Sequence, residues 1–303
     1  MKPKIALLRG GQSAEREVSL KSGQAVEKAL LARGYQVECF DPPKDLARLA
    51  KRAPEFDLAF IVLHGPGGED GTIQGFLEAL GLPYQGAGVL GSALAMDKAL
   101  SKLLYREAGL PVPRAVELKR KETTHPPLPL PVVIKPVSQG SSVGMSIVEK
   151  EEDFAQALEQ AFQYEERVLV EEYLQGRELT VGILGEEALP VVEIIPGEKH
   201  RFFDYEAKYT PGATKEICPA QIPTEIAQKA QEYALRAHKA LRLRHYSRTD
   251  FIYAQGEVFV LETNTIPGMT ETSLLPLAAK VAGYSFEDLV ERLVELALSD
   301  SQP

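Results

Sequence analysis

The chain has 303 residues, 44% hydrophobic and 25% charged, with 34 basic against 43 acidic side chains and a net charge of −9. That length accommodates two or three domains with sizeable cores, and the acidic balance leaves no electrostatic footprint for nucleic acid or an anionic membrane. The two cysteines, Cys39 and Cys218, are far apart and match no metal-binding spacing, which argues against structural zinc and for a reducing compartment. The apolar run after the basic N-terminus, residues 5–8, is too short for a signal peptide. No run approaches the ~18 apolar residues of a membrane span. The expected protein is soluble and cytoplasmic.

In chain order, residues 4–8 read as a buried parallel strand broken by Gly10-Gly11. Ser13 is a good N-cap, and the helix it opens is expected to run to about Arg33 and stop at Gly34. Residues 35–40 and 57–63 are the next strands, the second ending on His64-Gly65. This alternation predicts a doubly wound α/β unit with ligands at the strands' carboxyl ends. Residues 97–108 form a helix ended by Gly109, and the proline-rich 123–131 a stiff surface loop. A strand at 132–135, a loop at 138–144, a strand at 145–148 and a helix at 151–163 follow. Strands at 167–173, 178–184 and 188–194 precede an irregular segment, 197–215, too long for a simple connection and therefore read as a functional lid. A helix at 223–241, a hairpin, and helices at 273–282 and 286–298 close the chain.

The hairpin carries the strongest chemical signal. Arg248, Asp250, Glu262 and Asn264 are all even-numbered. A three-residue loop ending on Gly256 would pair 248 with 262 and 250 with 260, placing all four on one face. Two carboxylates and an amide offer hard oxygen donors suited to Mg2+ holding a nucleotide's phosphates. A solvated face with incidental charges is the alternative. Upstream, Lys135 ends a strand and Ser138–Gly144 returns from it; glycines there admit close backbone approach, and N–H groups and hydroxyls can cradle phosphate. Without a GK[ST] opening a helix this is no Walker loop, and a plain Gly/Ser turn is the competing explanation. Backbone groups of Glu171, Glu172, Tyr173 and Leu174 can meet an adenine edge and Glu178 a ribose, although an edge strand with exposed acids is the better explanation of these residues taken alone. Glu69 and Asp70 suit the first turn of the helix after the 64–75 glycine cluster, whereas His64 sits at a strand end. Glu15 is placed to hold an ammonium or to serve helix electrostatics. Lys208 and Tyr209 belong to the long loop, as phosphate contact and closing side chain or as mobile surface. Gly268 can present an N–H, and Ser273 at a helix start can bind a carboxylate or cap the helix.

Six ordered blocks together resemble the D-alanine–D-alanine ligase family of the ATP-grasp superfamily: residues 10–19, 64–75, Met96-Asp97-Lys98, 135–144, 205–209 and 262–273. The resemblance implies an N-terminal Rossmann-like substrate-binding domain (1–95), a central nucleotide-binding ATP-grasp subdomain (96–175) and a C-terminal mixed-sheet subdomain with the metal site and mobile loop (176–303). It implies ATP-dependent joining of two D-alanines through a D-alanyl phosphate for peptidoglycan synthesis, by a homodimer. Lys98, Lys135, Ser142 and Lys208 would contact phosphates, Glu171 to Leu174 the adenine and Glu178 the ribose. Asp250, Glu262 and Asn264 would hold two Mg2+ or Mn2+ ions, with a monovalent cation as a further cofactor. Glu15, with Val18 and His64 beside it, would bind the first D-alanine, and Ser273 with Leu274 the second. Arg248 and the Gly268 N–H would face the tetrahedral oxyanion, and Glu15, Ser141 and Tyr209 would link the two loops to the N-terminal domain. Another carboxylate–amine ligase of the superfamily and a nucleotide-binding regulatory module are the competing functions; the retained Lys135, Asp250, Glu262 and Asn264 weigh against the second.

One segment departs from the family pattern. His245 stands where glycine is usual, and Thr249 and Thr263 where aliphatic residues are commoner. These neighbours should point away from the metal face, so local packing is the question they raise. In related ligases that make D-alanyl-D-lactate the position of Tyr209 differs. Tyr209→Phe is therefore expected to shift preference from D-alanine toward D-lactate as second substrate. Equal product ratios for variant and parent in a competition assay would refute this.

Overall fold

The computed structural model of the chain describes residues 2–197 and 214–300, which form a mixed α/β architecture with three sheets. Strand β1 (Lys4–Leu8) is buried from Ile5 onward, as a central parallel strand requires. Helix α1 (Arg16–Ala32), β2 (Gln36–Phe40), α2 (Leu46–Arg52) and β3 (Leu58–Ile61) follow. Their sheet has the order β2-β1-β3, all parallel, matching the doubly wound expectation. Its carboxyl edge opens onto Gly10-Gly11 and His64-Gly65. Gly10 cannot be replaced there without a clash: its φ is +94°, and a Cβ would lie 2.4 Å from Asp41 Oδ1.

Ser13 does not start α1. The helix begins at Arg16, and Glu15 holds the cap position without a side-chain bond. The Ser13 hydroxyl instead donates to the His64 carbonyl at 2.7 Å and accepts from the Glu15 N–H at 3.2 Å. It ties together the turns leaving β1 and β3, a long-range role that a local capping rule cannot anticipate. Helices α3 (Thr72–Ala79), α4 (Val89–Met96) and α5 (Lys98–Glu107) lead out of this sheet. Asp97 caps α5 by accepting from the Leu100 N–H at 2.9 Å.

The second sheet comprises β4 (Ala115–Lys119), β5 (Val132–Pro136), β6 (Ser146–Val148) and β7 (Arg167–Glu172), with α6 (Glu151–Ala161) between the last two. Its order is β4-β7-β5-β6, antiparallel throughout. The third contains β8 (Arg177–Leu184), β9 (Glu187–Ala188), β10 (Val192–Pro196), β11 (Thr214–Ile217), β12 (Tyr246–Ala254) and β13 (Glu257–Asn264). Its order is β11-β10-β8-β12-β13, with β9 on β8. Helix α7 (Thr224–Ala240) precedes β12, and α8 (Leu274–Val281) and α9 (Phe286–Ser299) end the chain. Sequence reading missed α2, α4, β4 and β11; each is short, and β11 begins inside the segment expected to be irregular. The closing helices pack Leu275, Leu293 and Val294 into one core with Ile5 and Leu7 of β1 and Leu184 of β8, so the first and third sheets share a hydrophobic interior.

The β12–β13 hairpin has a different register from the expected one. The turn is two residues, Gln255-Gly256, both left-handed at φ 53° and 80°, the geometry of a type I′ turn. Ala254 pairs with Glu257, and near the open end Asp250 pairs with Glu262 and Arg248 with Asn264. Between Asp250 and Phe251 the register shifts, leaving Leu261 as an extra residue. The shorter turn and the bulge each displace the pairing by one residue. Together they restore the parity, so the four polar side chains still share a face.

The residues that depart from the family pattern pack behind that face. Thr249 and Thr263 point to the interior, their hydroxyls 3.0 Å apart, and Tyr105 donates to Thr263 at 2.8 Å. The threonines thus satisfy a buried tyrosine hydroxyl. His245 is left-handed at φ 64°, which accounts for glycine being usual there. Its Nδ1 accepts from the Gly86 N–H at 3.0 Å and its Nε2 meets Asp300 at 2.8 Å. The imidazole therefore joins the end of the chain to the link between the first sheet and α4. Thr263→Val leaves the Tyr105 hydroxyl without its partner and is expected to cost about 1–3 kcal/mol of stability. Urea unfolding measures this; an unchanged midpoint would remove the hydroxyl chain from the account.

Candidate active site

Between the second and third sheets lies a cleft of about 1010 Å³, open to solvent. Its wall brings together Lys98 from the start of α5, Lys135 from β5, Ser142 from the Gly/Ser loop, Glu171 to Leu174 from β7 and its exit, Glu178 from β8, Asp250 from β12 and Glu262 from β13. Ten residues singled out as nucleotide or metal contacts therefore line one cavity. Apolar side chains complete it: Val133, Met145, Ile147, Ile194, Phe251 and Leu261. Sequence reading missed these. Val133 is legible afterwards as the residue two before Lys135 on the same strand face, and Leu261 as the residue two after Phe259, which pairs with Ile252 of the cleft wall.

The charged groups at the open end are paired with one another. Arg248 donates to both oxygens of Asp250, at 2.9 and 2.8 Å, so it contacts a candidate metal ligand where it had been expected to face a reacting carbonyl. Thr180 donates to Asp250 at 2.6 Å and the Asn264 amide at 3.0 Å. Lys98 donates to the Gln139 carbonyl at 2.6 Å and stands 3.6 Å from Glu262. Glu172 is held by the Arg114 backbone and guanidinium at 2.8 and 2.7 Å. Among the described residues no cluster of three His, Cys, Asp or Glu side chains is poised for a metal. The donor set at the hairpin is two carboxylates and an amide, hard oxygen chemistry that suits Mg2+ when phosphate oxygens complete the shell.

A second group lies at the carboxyl edge of the first sheet. Glu15 is buried, and the Ser141 hydroxyl donates to it. This contact joins the first domain's turn to the Gly/Ser loop. Cβ atoms on Gly65 or Gly140 would come within 3.2 and 3.1 Å of Glu15 Oε2, so both glycines are shaped around that carboxylate. Ser141 and Ser142 are left-handed at φ 50° and 59°, a conformation that non-glycine residues adopt where the surroundings impose it. Val18 is half-buried in the first turn of α1. His64 is buried, its Nε2 without a hydrogen bond of normal geometry among the described residues, and burial lowers its pKa. Gly268 is tight against Ser273, whose Oγ would lie 3.0 Å from an added Cβ. Ser273 occupies the cap position of α8 without capping it; its hydroxyl is 2.8 Å from that of Thr270. Leu274, the next residue, is buried. Lys208 and Tyr209, with the rest of 205–209, lie outside the described residues.

Glu69 differs from expectation. Asp70 takes the local role, accepting from the Thr72 N–H at 2.9 Å. Glu69 reaches away from the helix and accepts from the Gly65 N–H at 2.7 Å and the Ile266 N–H at 3.3 Å. It thereby connects the loop after β3 to the loop after β13.

Against known proteins, residues 104–295 match the family described as D-ala D-ala ligase C-terminus, and residues 42–87 match D-ala D-ala ligase N-terminus. The chain belongs to the D-alanine–D-alanine ligase family. A D-alanine–D-alanine ligase of Syntrophobacter fumaroxidans is 57% identical over 98% of both chains. One of Desulfotalea psychrophila is 52% identical over 99% of this chain and 96% of its own. The solved ligase of Bacillus anthracis complexed with ATP superposes with a TM-score of 0.86 at 32% identity, covering 99% of this chain and 98% of that one. The VanG D-Ala:D-Ser ligase of Enterococcus faecalis superposes at 0.84 with 33% identity, covering 98% and 100%. The fold is that of the family's ATP-grasp enzymes, and the family makes D-alanyl-D-alanine with ATP for peptidoglycan synthesis.

Burial, together with the nearby Glu15, pushes the Glu69 carboxyl up to about 8 from an ordinary 4.5. A raised acid keeps its proton when folded and loses it when unfolded, so stability falls as pH rises between those values. Glu69→Gln is expected to remove part of that decline. The variant's unfolding free energy relative to the parent should rise between pH 5 and pH 8, and parallel urea curves at the two pH values would contradict this.

Proposed function

We propose that this chain joins two D-alanines at the expense of ATP, with the cleft as nucleotide site and the Glu15 edge as the site of the first amino acid. The observation that carries this is the convergence of Lys98, Lys135, Ser142, Glu178, Asp250 and Glu262, from separate elements, on a single cleft. Lys135 and Lys98 bind the phosphates, the backbone at 171–174 the adenine, and Glu178 the ribose. Asp250, Glu262 and Asn264 hold two Mg2+ or Mn2+ ions, which when bound supply countercharge to the β- and γ-phosphates. Division of the chain at 1–95, 96–175 and 176–303 is supported by one sheet falling in each part.

The chemistry runs in two displacements. A carboxylate oxygen of the first D-alanine attacks the γ-phosphorus, and the bond to the ADP oxygen breaks. The amine of the second D-alanine then attacks the acyl carbon, loses a proton and expels phosphate. Glu15 binds the first ammonium, and Ser141 holds Glu15 while its loop covers the acyl phosphate against water. Arg248 joins the Gly268 N–H in stabilising the tetrahedral oxyanion, and Asp250, which Arg248 contacts, would serve the metal ions. Ser273 and the start of α8 receive the second carboxylate. The enzyme works in the cytoplasm as a homodimer; among the described residues no helix is long and apolar enough to cross a membrane.

ADP and phosphate release across a panel of D- and L-amino acids tests this reading. Turnover is expected with D-alanine, and Glu262→Gln should lower it by about a hundredfold or more. No D-alanine-dependent ADP formation by the parent rejects the assignment, and turnover only with a D-alanine and D-serine mixture moves it to the D-Ala:D-Ser class.

A further inference from the structure

At the wall of the nucleotide cleft sits a buried charge cluster in which Lys102 and the Glu171 carboxylate have no part in the reaction as described. Glu171 was expected to touch the nucleotide, but its carboxylate is buried between two lysines, with Lys102 Nζ and Lys135 Nζ each 2.8 Å away. Lys102 and Glu171 are both only 2% exposed. Three features of the fold produce this arrangement. Glu171 pairs with Val133 across β7 and β5, so Lys135, two residues on, projects from the same face. Lys102 is four residues after Lys98 on α5 and shares its helix face. Lys98 and Lys135 line the cleft, whereas Lys102 does not.

We propose that Lys102 is a positioning residue for ATP binding: it is the standing countercharge of Glu171, which lets Lys135 transfer to the nucleotide phosphates without leaving an unpaired buried carboxylate. The inference rests on the reading of the cleft as the nucleotide site. Its physical basis is that removing one partner from a buried ion pair leaves a charge the interior cannot solvate, and the group then takes up a proton. With two cations on Glu171, one can leave. With one, phosphate and carboxylate compete for Lys135. The pattern of shifts agrees: burial lowers the Lys102 ammonium to about 8, while the two lysines outweigh burial and hold Glu171 below its ordinary value.

The test is Mg-ATP binding without amino acid, followed by calorimetry near pH 7 in buffers of different ionisation enthalpy, for the parent, Lys102→Met and Lys102→Met/Glu171→Gln. The parent is expected to bind with no net proton uptake. Lys102→Met is expected to take up about one proton on binding, and its affinity should weaken by up to about tenfold for each unit the pH is raised. The double variant removes one charge of each sign, so it folds even where the single variant does not. It should bind more tightly than Lys102→Met above pH 7 and again without uptake, because no buried carboxylate remains to be stranded. Parent-like binding and uptake in Lys102→Met overturn the proposal, as does equal uptake in the double variant, which would put the proton elsewhere. A loss of a hundredfold or more in the double variant also overturns it by making the pair structural. Failure of the parent itself to bind ATP would instead overturn the reading of the cleft, and the proposal with it.

Discussion

The candidate site depends on a parity. Side chains alternate along paired strands, so Asp250 and Glu262 can share a face only if the residues between their pairing positions are counted correctly. The two-residue turn at Gln255-Gly256 alone would put Glu262 and Asn264 on the interior side, where Thr263 now packs. The extra residue at Leu261 reverses that. One bulge therefore decides whether β13 presents Glu262 and Asn264 to the cleft or buries them against Tyr105. Leu261 keeps the cleft-facing side that the alternation of the strand already gives it. Bulges beside functional sites commonly re-aim side chains in this way; here the re-aimed residues are a candidate metal ligand and its amide neighbour.

The first sheet is tied to this arrangement by polar contacts laid over a shared core. Ser13 links the turns after β1 and β3, Glu69 links the loop after β3 to the loop after β13, and Ser141 brings the Gly/Ser loop to Glu15. His245 adds a fourth connection, between Gly86 and Asp300. All four join segments distant in sequence. They orient the Glu15 edge relative to the cleft, which a reaction between an amino acid and a nucleotide phosphate requires.

This also explains what the sequence disclosed and what it withheld. Parallel strands around Gly10-Gly11 and His64-Gly65, the lysine ending β5 and the even-numbered residues of the hairpin were legible because each rests on a local period or a local conformational need. The hairpin register was misread by two residues, yet its consequence survived because two is a full period of the strand. Ser13 and Glu69 were assigned local helix roles, since capping rules see only neighbouring residues; their true partners lie across the fold. Glu171 was read as offering its backbone to the nucleotide, with an edge strand of exposed acids as the alternative. Only the pairing of β7 with β5, and the placement of α5 behind them, encloses it between lysines. The threonines at 249 and 263 looked anomalous until the buried hydroxyl of Tyr105 gave them a partner.

The charges of the cleft are paired within the fold. Among the described residues, each cation proposed for a phosphate or an oxyanion rests near a carboxylate: Lys98 by Glu262, Lys135 by Glu171, Arg248 by Asp250. Buried or half-buried charges left unpaired would be costly, so this pairing is what lets so many coexist in one cavity before any nucleotide arrives. The pairing also sets the form of the binding event. Two of the three carboxylates, Asp250 and Glu262, belong to the proposed metal set and would have divalent cations as alternative partners when Arg248 and Lys98 turn to their proposed ligands. Glu171 has no such outlet, since its carboxylate is buried in the cleft wall between two lysines. It is the one carboxylate of the three for which the protein must provide a second permanent cation, and Lys102, reached from the next turn of the helix that supplies Lys98, is that cation.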